Sequence, residues 1–209
     1  MYLPEVIILS TQRSGTHLLD SILRKHPMIH GKGEMFLRYR RKGTLLNNVE
    51  DKINIGILMY SELSIFLKLG GGAYKPLIIH LLRNPYDVAL SRLQMRADRL
   101  KLGNSYKAHC KINELEKPEV SKRLKDRIEP DDSSIDSLVC SIAENQQKHV
   151  LMLKNIPHLQ INYEEIALDN ESVTVLNKEV QKKLMIFLNL SDDDFKLSTS
   201  YYKTGIVGY

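Results

Sequence analysis

Apolar residues first gather at Val6 to Leu9, a run long enough for one strand. The polar stretch Ser10-Thr-Gln-Arg-Ser-Gly-Thr16 follows, and then Leu18, Leu19, Ile22 and Leu23 recur at helical spacing until Pro27. The pattern predicts strand, loop, helix. A second unbroken run, Leu77 to Leu82, reads as a strand buried on both faces, the kind found in a parallel sheet. Asn84 then caps a helix that has Pro85 at its first position and Asp87 in its first turn, where a carboxylate favours the dipole. Between these units, Ile53 to Met59 reads as a strand and Ser61 to Leu69 as a helix, ended by Gly70-Gly71-Gly72. A helical segment from about Ser134 to Asn155, with Leu138, Ile142, Val150, Leu151 and Leu153 apolar, leads to a further short strand, Leu159 to Tyr163. Alternating strands and helices predict an α/β fold with a mostly parallel sheet flanked by helices. The stretch from Arg96 to Ser134 is densely charged and broken by Pro118 and Pro130, and reads either as a lid or acceptor-site insertion or as a solvated surface excursion.

Composition narrows this picture without deciding it. With 209 residues, 43% hydrophobic and 26% charged, the chain can bury a core as one domain spanning 1–209. A net charge of +5 suits a polyanionic ligand but also many ordinary proteins. Cys110 and Cys140 are too few for a disulfide framework and lack metal-site spacing, which favours a reducing compartment. The first ten residues lack the basic region of a signal peptide, and no apolar stretch approaches membrane-spanning length. A soluble cytoplasmic protein with no membrane span is expected, and nothing in the sequence specifies an oligomeric state.

The candidate chemistry lies in the first loop. A turn from a buried strand into a helix presents unpaired backbone N–H groups at the positive end of the helix dipole, which makes it an anion site. Gln12, Arg13, Ser14, Gly15, Thr16 and His17 occupy that turn. Gly15 permits close backbone approach, Ser14 and Thr16 carry hydroxyl donors, and Arg13 supplies a planar charged fork. The GxxxxGK[ST] pattern is absent, since no lysine follows Gly15 and no aspartate ends a second strand to help hold magnesium. These absences argue against ATP-driven phosphoryl transfer. A sulfuryl group carries less charge than a phosphoryl group, so its transfer calls for cationic side chains and N–H donors, and no metal is expected.

The segment STQRSGTHLL after a strand resembles the 5′-phosphosulfate loop of sulfotransferases that use PAPS (3′-phosphoadenosine 5′-phosphosulfate), and HLLRNPYDVALSR resembles their 3′-phosphate motif. That resemblance implies that Arg83 and Ser91, eight residues apart, bind the 3′-phosphate. It further implies that Tyr163 of a Tyr-Glu pair approaches the adenine. Lys203, Thr204 and Gly205, in a segment similar to a late RKGxxG loop, would also grip the 3′-phosphate, with one charge fewer than the family pattern. The implied fold is P-loop-like, the implied donor is PAPS, and the implied product is PAP (adenosine 3′,5′-bisphosphate).

Sulfuryl transfer to an alcohol requires a base near the acceptor hydroxyl. In enzymes of the bacterial carbohydrate type a glutamate follows the first helix in a Gly-Glu-Phe context, and Gly33-Glu34-Met35-Phe36 resembles it, which makes Glu34 the candidate base in a loop. His17 is either a donor to the sulfuryl oxygens or a plain helix residue, and His80, inside a buried run, reads as a core histidine. Arg38, Arg40, Arg41 and Lys42 form a cluster that is either solvated surface or a grip on an acidic or glycan acceptor. The expected partner is a hydroxylated acceptor such as a sugar or glycolipid. Two other functions fit the loop: an atypical P-loop kinase, and a non-catalytic PAP- or RNA-binding module. With four phenylalanines, no tryptophan and no RRM-type sequence, nucleic acid is not expected as a partner.

Overall fold

Val6 to Leu9 point alternately to opposite faces and are almost wholly buried, which is possible only for a strand with layers packed on both sides. This is β1 (Val6–Ser10), the centre of a five-stranded sheet with β2 (Ile29–Glu34), β3 (Ile53–Met59), β4 (Leu77–Leu82) and β5 (His158–Asn162). Its order is β2-β3-β1-β4-β5, and every paired neighbour is parallel. The computed structural model describes residues 3–35, 47–71, 73–101, 132–166, 168–170 and 173–191. Helices α1 (Thr16–Leu23), α2 (Tyr60–Gly70), α3 (Pro85–Lys101), α4 (Asp132–Leu153), α5 (Tyr163–Ile166) and α6 (Lys178–Leu188) alternate with the strands, and a short antiparallel pair, β6 (Leu168–Asn170) and β7 (Val173–Val175), precedes α6.

The chain divides into two compact units, Met1–Arg83 with Gln146–Tyr209, and Asn84–Asn145. In the first, Leu19, Ile22 and Leu23 of α1 and Val180, Leu184, Met185 and Leu188 of α6 cover one face of the sheet around Val6, Ile8, Ile55, Ile57, Ile79 and Leu81. Tyr60, Leu63 and Phe66 of α2, with Leu153, cover the other around Ile7, Leu9, Leu58 and Ile78. Each fully buried aliphatic or aromatic side chain contributes about 1.5–3 kcal/mol, so the two-sided burial of β1 anchors the unit. In the second unit, Asn84 Oδ1 accepts from the Tyr86 N–H at 2.9 Å, the cap expected ahead of Pro85, and Val88 and Ala89 pack with Ile142, Leu138 and Val139.

The α/β class and parallel sheet read from the sequence are the observed ones. Several elements were not foreseen: α5, the β6–β7 pair and α6 have no counterpart in the sequence reading, and the segment after Pro27, expected as a loop, is strand β2. Its register shifts between Gly31, opposite Ile55, and Glu34, opposite Ile57, with Gly33 at φ 66°. Two glycines and a lysine in six residues give no β-branched alternation to read, yet a bulged edge strand accommodates them. Residues 102–131, most of the expected insertion, lie outside the described residues.

His80 is fully buried in β4, where its Nε2 shares a 2.5 Å hydrogen bond with the Tyr60 hydroxyl. The Tyr60 ring stacks on His149 at 3.8 Å, and His158 meets His80 edge-on at 6.0 Å. Burial, aided by the charges of His158 and His149, pushes the His80 pKa down to about 4. Between pH 6.5 and 4 the unfolded chain takes up a proton that the folded core refuses, so stability is complete above the ordinary histidine range and is lost as pH falls. Urea midpoints measured from pH 7 to pH 4 are expected to reveal a loss of about 3 kcal/mol. In the Tyr60→Phe/His80→Leu double variant, which removes both partners together, that component of the slope should vanish. An unchanged slope would exclude His80 as its source.

Candidate active site

β1 leads into a turn closed by a 2.6 Å hydrogen bond between Thr11 Oγ1 and Ser14 Oγ. Ser14 is fully buried and Thr16 nearly so. Arg13 at φ 73° and Gly15 at φ 90° adopt the left-handed conformation, which glycine enters freely and arginine does not. Gly15 is the N-cap of α1 and supplies no side-chain cap. The positive end of the helix therefore faces the crevice without a built-in side-chain acceptor from its capping residue.

Three strand ends meet at this turn. Arg83, the residue after β4, donates from Nη1 to the Arg13 carbonyl at 3.0 Å, and its guanidinium lies over the Tyr163 ring, 4.2 Å from the centroid. Gln146 Nε2 in turn donates to the Arg83 carbonyl at 2.8 Å. Tyr163 opens α5 directly after β5, and its ring edge lies so close to Gly15 that a Cβ there would stand 2.4 Å from Cδ2 and Cε2. The chain leaves β1 toward β2 and leaves β4 toward β5, on opposite sides, so the crevice at their carboxyl ends is the switch point where ligands bind in open α/β sheets. The buried Nε of Arg83 has no hydrogen-bond partner among the described residues. A buried N–H of that kind calls for an acceptor, and an anion in the crevice would provide one.

Two other proposed site residues, His17 and Glu34, meet beside α1. Glu34, at the end of β2 and not in a loop, meets His17 through a 2.9 Å contact between Oε1 and Nε2. The His17 ring is thereby engaged with a carboxylate. Asp20, one turn further on, is buried and pairs with Arg24 at 2.5 Å; burial raises its carboxyl pKa against the pull of Arg24. Glu62 is raised by burial, lowered by the Met59 N–H it accepts at 2.8 Å, and raised again by the charge of Glu34. Gln12 lies in the loop beside Arg13, and Ser91 lies in α3 of the second unit. Lys203, Thr204, Gly205, Phe36 and the Arg38–Lys42 cluster lie outside the described residues. Sequence reasoning did not single out Thr11, Asp20, Arg24 or Gln146. A charged residue within the apolar run of α1 was a readable signal for Asp20, whereas Gln146 is tied to Arg83 only by the fold. Among the described residues no group of three or more His, Cys, Asp or Glu side chains is placed to hold a metal ion, and no helix is long and apolar enough to cross a membrane.

The contact between Gly15 and Tyr163 can be tested directly. Gly15→Ala should destabilise the protein by about 1–3 kcal/mol, through both its left-handed backbone and the collision with Tyr163. Adding Tyr163→Ala should relieve the collision and leave the backbone cost, a difference visible in thermal melts as non-additivity.

No protein-family model matches the sequence, and no curated protein matches it. Solved structures do match. A sulfotransferase from Alicyclobacillus acidocaldarius superposes with a TM-score of 0.51 at 18% identity, over 95% of this chain and 87% of that one. Mouse sulfotransferase SULT7A1, solved in complex with PAP, gives a TM-score of 0.49 at 17% identity over 91% of this chain, which spans 61% of the mouse protein. The parallel sheet and its flanking helices thus share the fold of that bacterial sulfotransferase.

Proposed function

We propose that this chain is a sulfotransferase that moves a sulfuryl group from PAPS to a hydroxyl of an acceptor, a carbohydrate or other small alcohol, and releases PAP. The observation that carries this reading is the crevice between β1 and β4, where the buried Arg83 Nε, with no hydrogen-bond partner among the described residues, lies near a helix start that has no side-chain cap. The shared fold supports it.

In this reading Gln12, Arg13, Gly15 and Thr16 bind the phosphosulfate by charge and N–H donors, while the enclosed Ser14 hydroxyl holds the loop through Thr11. Arg83 binds a phosphate, and Tyr163 keeps its guanidinium planar against the loop. Lys203, Thr204 and Gly205 would complete the grip from the carboxyl terminus. PAPS supplies the activated sulfuryl group; donors fixed around it stabilise the charge that develops as the group moves. Glu34 takes the proton of the acceptor hydroxyl.

Calorimetry in EDTA should show PAP binding. Arg83→Ala should weaken PAP about tenfold to a hundredfold, the value of one or two hydrogen bonds to a charged group, and weaken AMP, which lacks the 3′-phosphate, far less. Equal losses for both ligands would assign Arg83 to bracing the loop instead. Tighter binding of ATP with magnesium than of PAP would replace this reading with a kinase. Glu34→Gln should leave PAP affinity nearly unchanged and slow turnover about a hundredfold or more; turnover near the wild-type rate would remove Glu34 from the mechanism.

A further inference from the structure

His17 and Glu34 are 17 residues apart and come from different elements, the first turn of α1 and the end of β2, yet their side chains meet at 2.9 Å. Neither is sealed off: the two side chains are 40% and 25% exposed, so a solute can reach the pair. The carboxylates around them are committed elsewhere, Asp20 to Arg24 and Glu62 to the Met59 N–H. The contact from His17 engages one Glu34 oxygen, Oε1, through a ring nitrogen that can donate. A hydrogen bond to an ionised acceptor is roughly twice as strong as one between neutral groups, strong enough to fix a carboxylate in one rotamer.

We propose that His17 is the positioning residue of the proton acceptor. Its Nε2–H holds Glu34 Oε1 and so aims the carboxylate at the acceptor hydroxyl. The role rests on the sulfotransferase reading above. As the acceptor oxygen forms its bond to sulfur, its proton passes to the Glu34 carboxylate. The bond from sulfur to the bridging phosphate oxygen breaks, and its electron pair leaves on PAP; no further reactant is required. The N–H of His17 holds the carboxylate aimed before the acceptor arrives.

Histidine-selective 15N labelling of the full chain tests the pair without any acceptor. The His17 Nε2–H resonance, assigned by its disappearance in His17→Gln, should be shifted downfield and should move upfield in Glu34→Gln. A resonance indifferent to Glu34→Gln overturns the proposal. Turnover tests the role, read as PAP release from PAPS in the presence of glucose, galactose and N-acetylglucosamine. His17→Ala should lower kcat about tenfold to a hundredfold, the cost of a misplaced group, with KM for PAPS nearly unchanged. His17→Gln, which retains an N–H donor, should recover part of the loss. In the Glu34→Gln background His17→Ala should add nothing, whereas additive losses overturn the role. Absence of PAP binding by the wild-type protein removes the sulfotransferase reading, and the role with it, while the resonance experiment reports the pair independently.

Discussion

The turn after β1 carries two residues in the left-handed conformation, and such a backbone persists only where its surroundings hold it. Here the holding is done by the hydrogen bond from Arg83 Nη1 to the Arg13 carbonyl. Arg13 sits in a left-handed conformation that costs a non-glycine residue roughly 1–2 kcal/mol, and a charge-assisted hydrogen bond to its carbonyl is of the size needed to offset that cost. The same guanidinium lies on Tyr163, and Tyr163 lies against Gly15, so loop, strand end and helix start brace one another. The strands that supply these groups are neighbours because the sheet order places β1 beside β4 and β4 beside β5. Arg83 thus joins the loop through Nη1 and Tyr163 through its guanidinium face, while its Nε is buried.

On the β2 side of α1 the governing quantity is charge. Glu34, Asp20 and Glu62 bring three carboxylates into one region, each with its own partner: an imidazole, a guanidinium and a backbone N–H. Different partners give the three groups different characters. Asp20 and Glu62 are tied into the fold, while Glu34 keeps partial exposure and an adaptable neighbour. Of the three, the side chain of Glu34 is the one that meets a histidine from another element.

The sequence revealed the strands and helices whose pattern is strong over a few residues. The apolar runs of β1 and β4, the helical spacing after Gly15 and the Asn84-Pro85 entry were all legible, because each is set by local sterics and burial. Not everything local was read: α6, with its Asn177 cap and its buried Val180, Leu184, Met185 and Leu188, was passed over. The rest of what escaped was set at long range or by irregular backbone. β2 has the composition of a turn, and its strand character comes from pairing with β3. The contact between Arg83 and the Arg13 carbonyl joins residues 70 apart, and that between His17 and Glu34 depends on how β2 docks beside α1. The resemblance to sulfotransferases pointed to the right fold. It assigned no partner to His17, since a motif carries positions but not side-chain contacts.

The shift in β2 makes the direction of Glu34 a question of parity. In an unbroken strand residues two apart share a face; Gly31 and Glu34 are three apart, yet both lie opposite β3 residues, Ile55 and Ile57, that point toward α1. One surplus residue in the strand is what brings the carboxylate round to His17, and Met35, next in the chain, goes to the opposite core. Chain length between Gly31 and Glu34, more than the identity of Lys32 or Gly33, thus decides which side of the sheet receives the acid. Gain or loss of one residue here would turn the carboxylate from the face that α1 covers to the face that α2 covers.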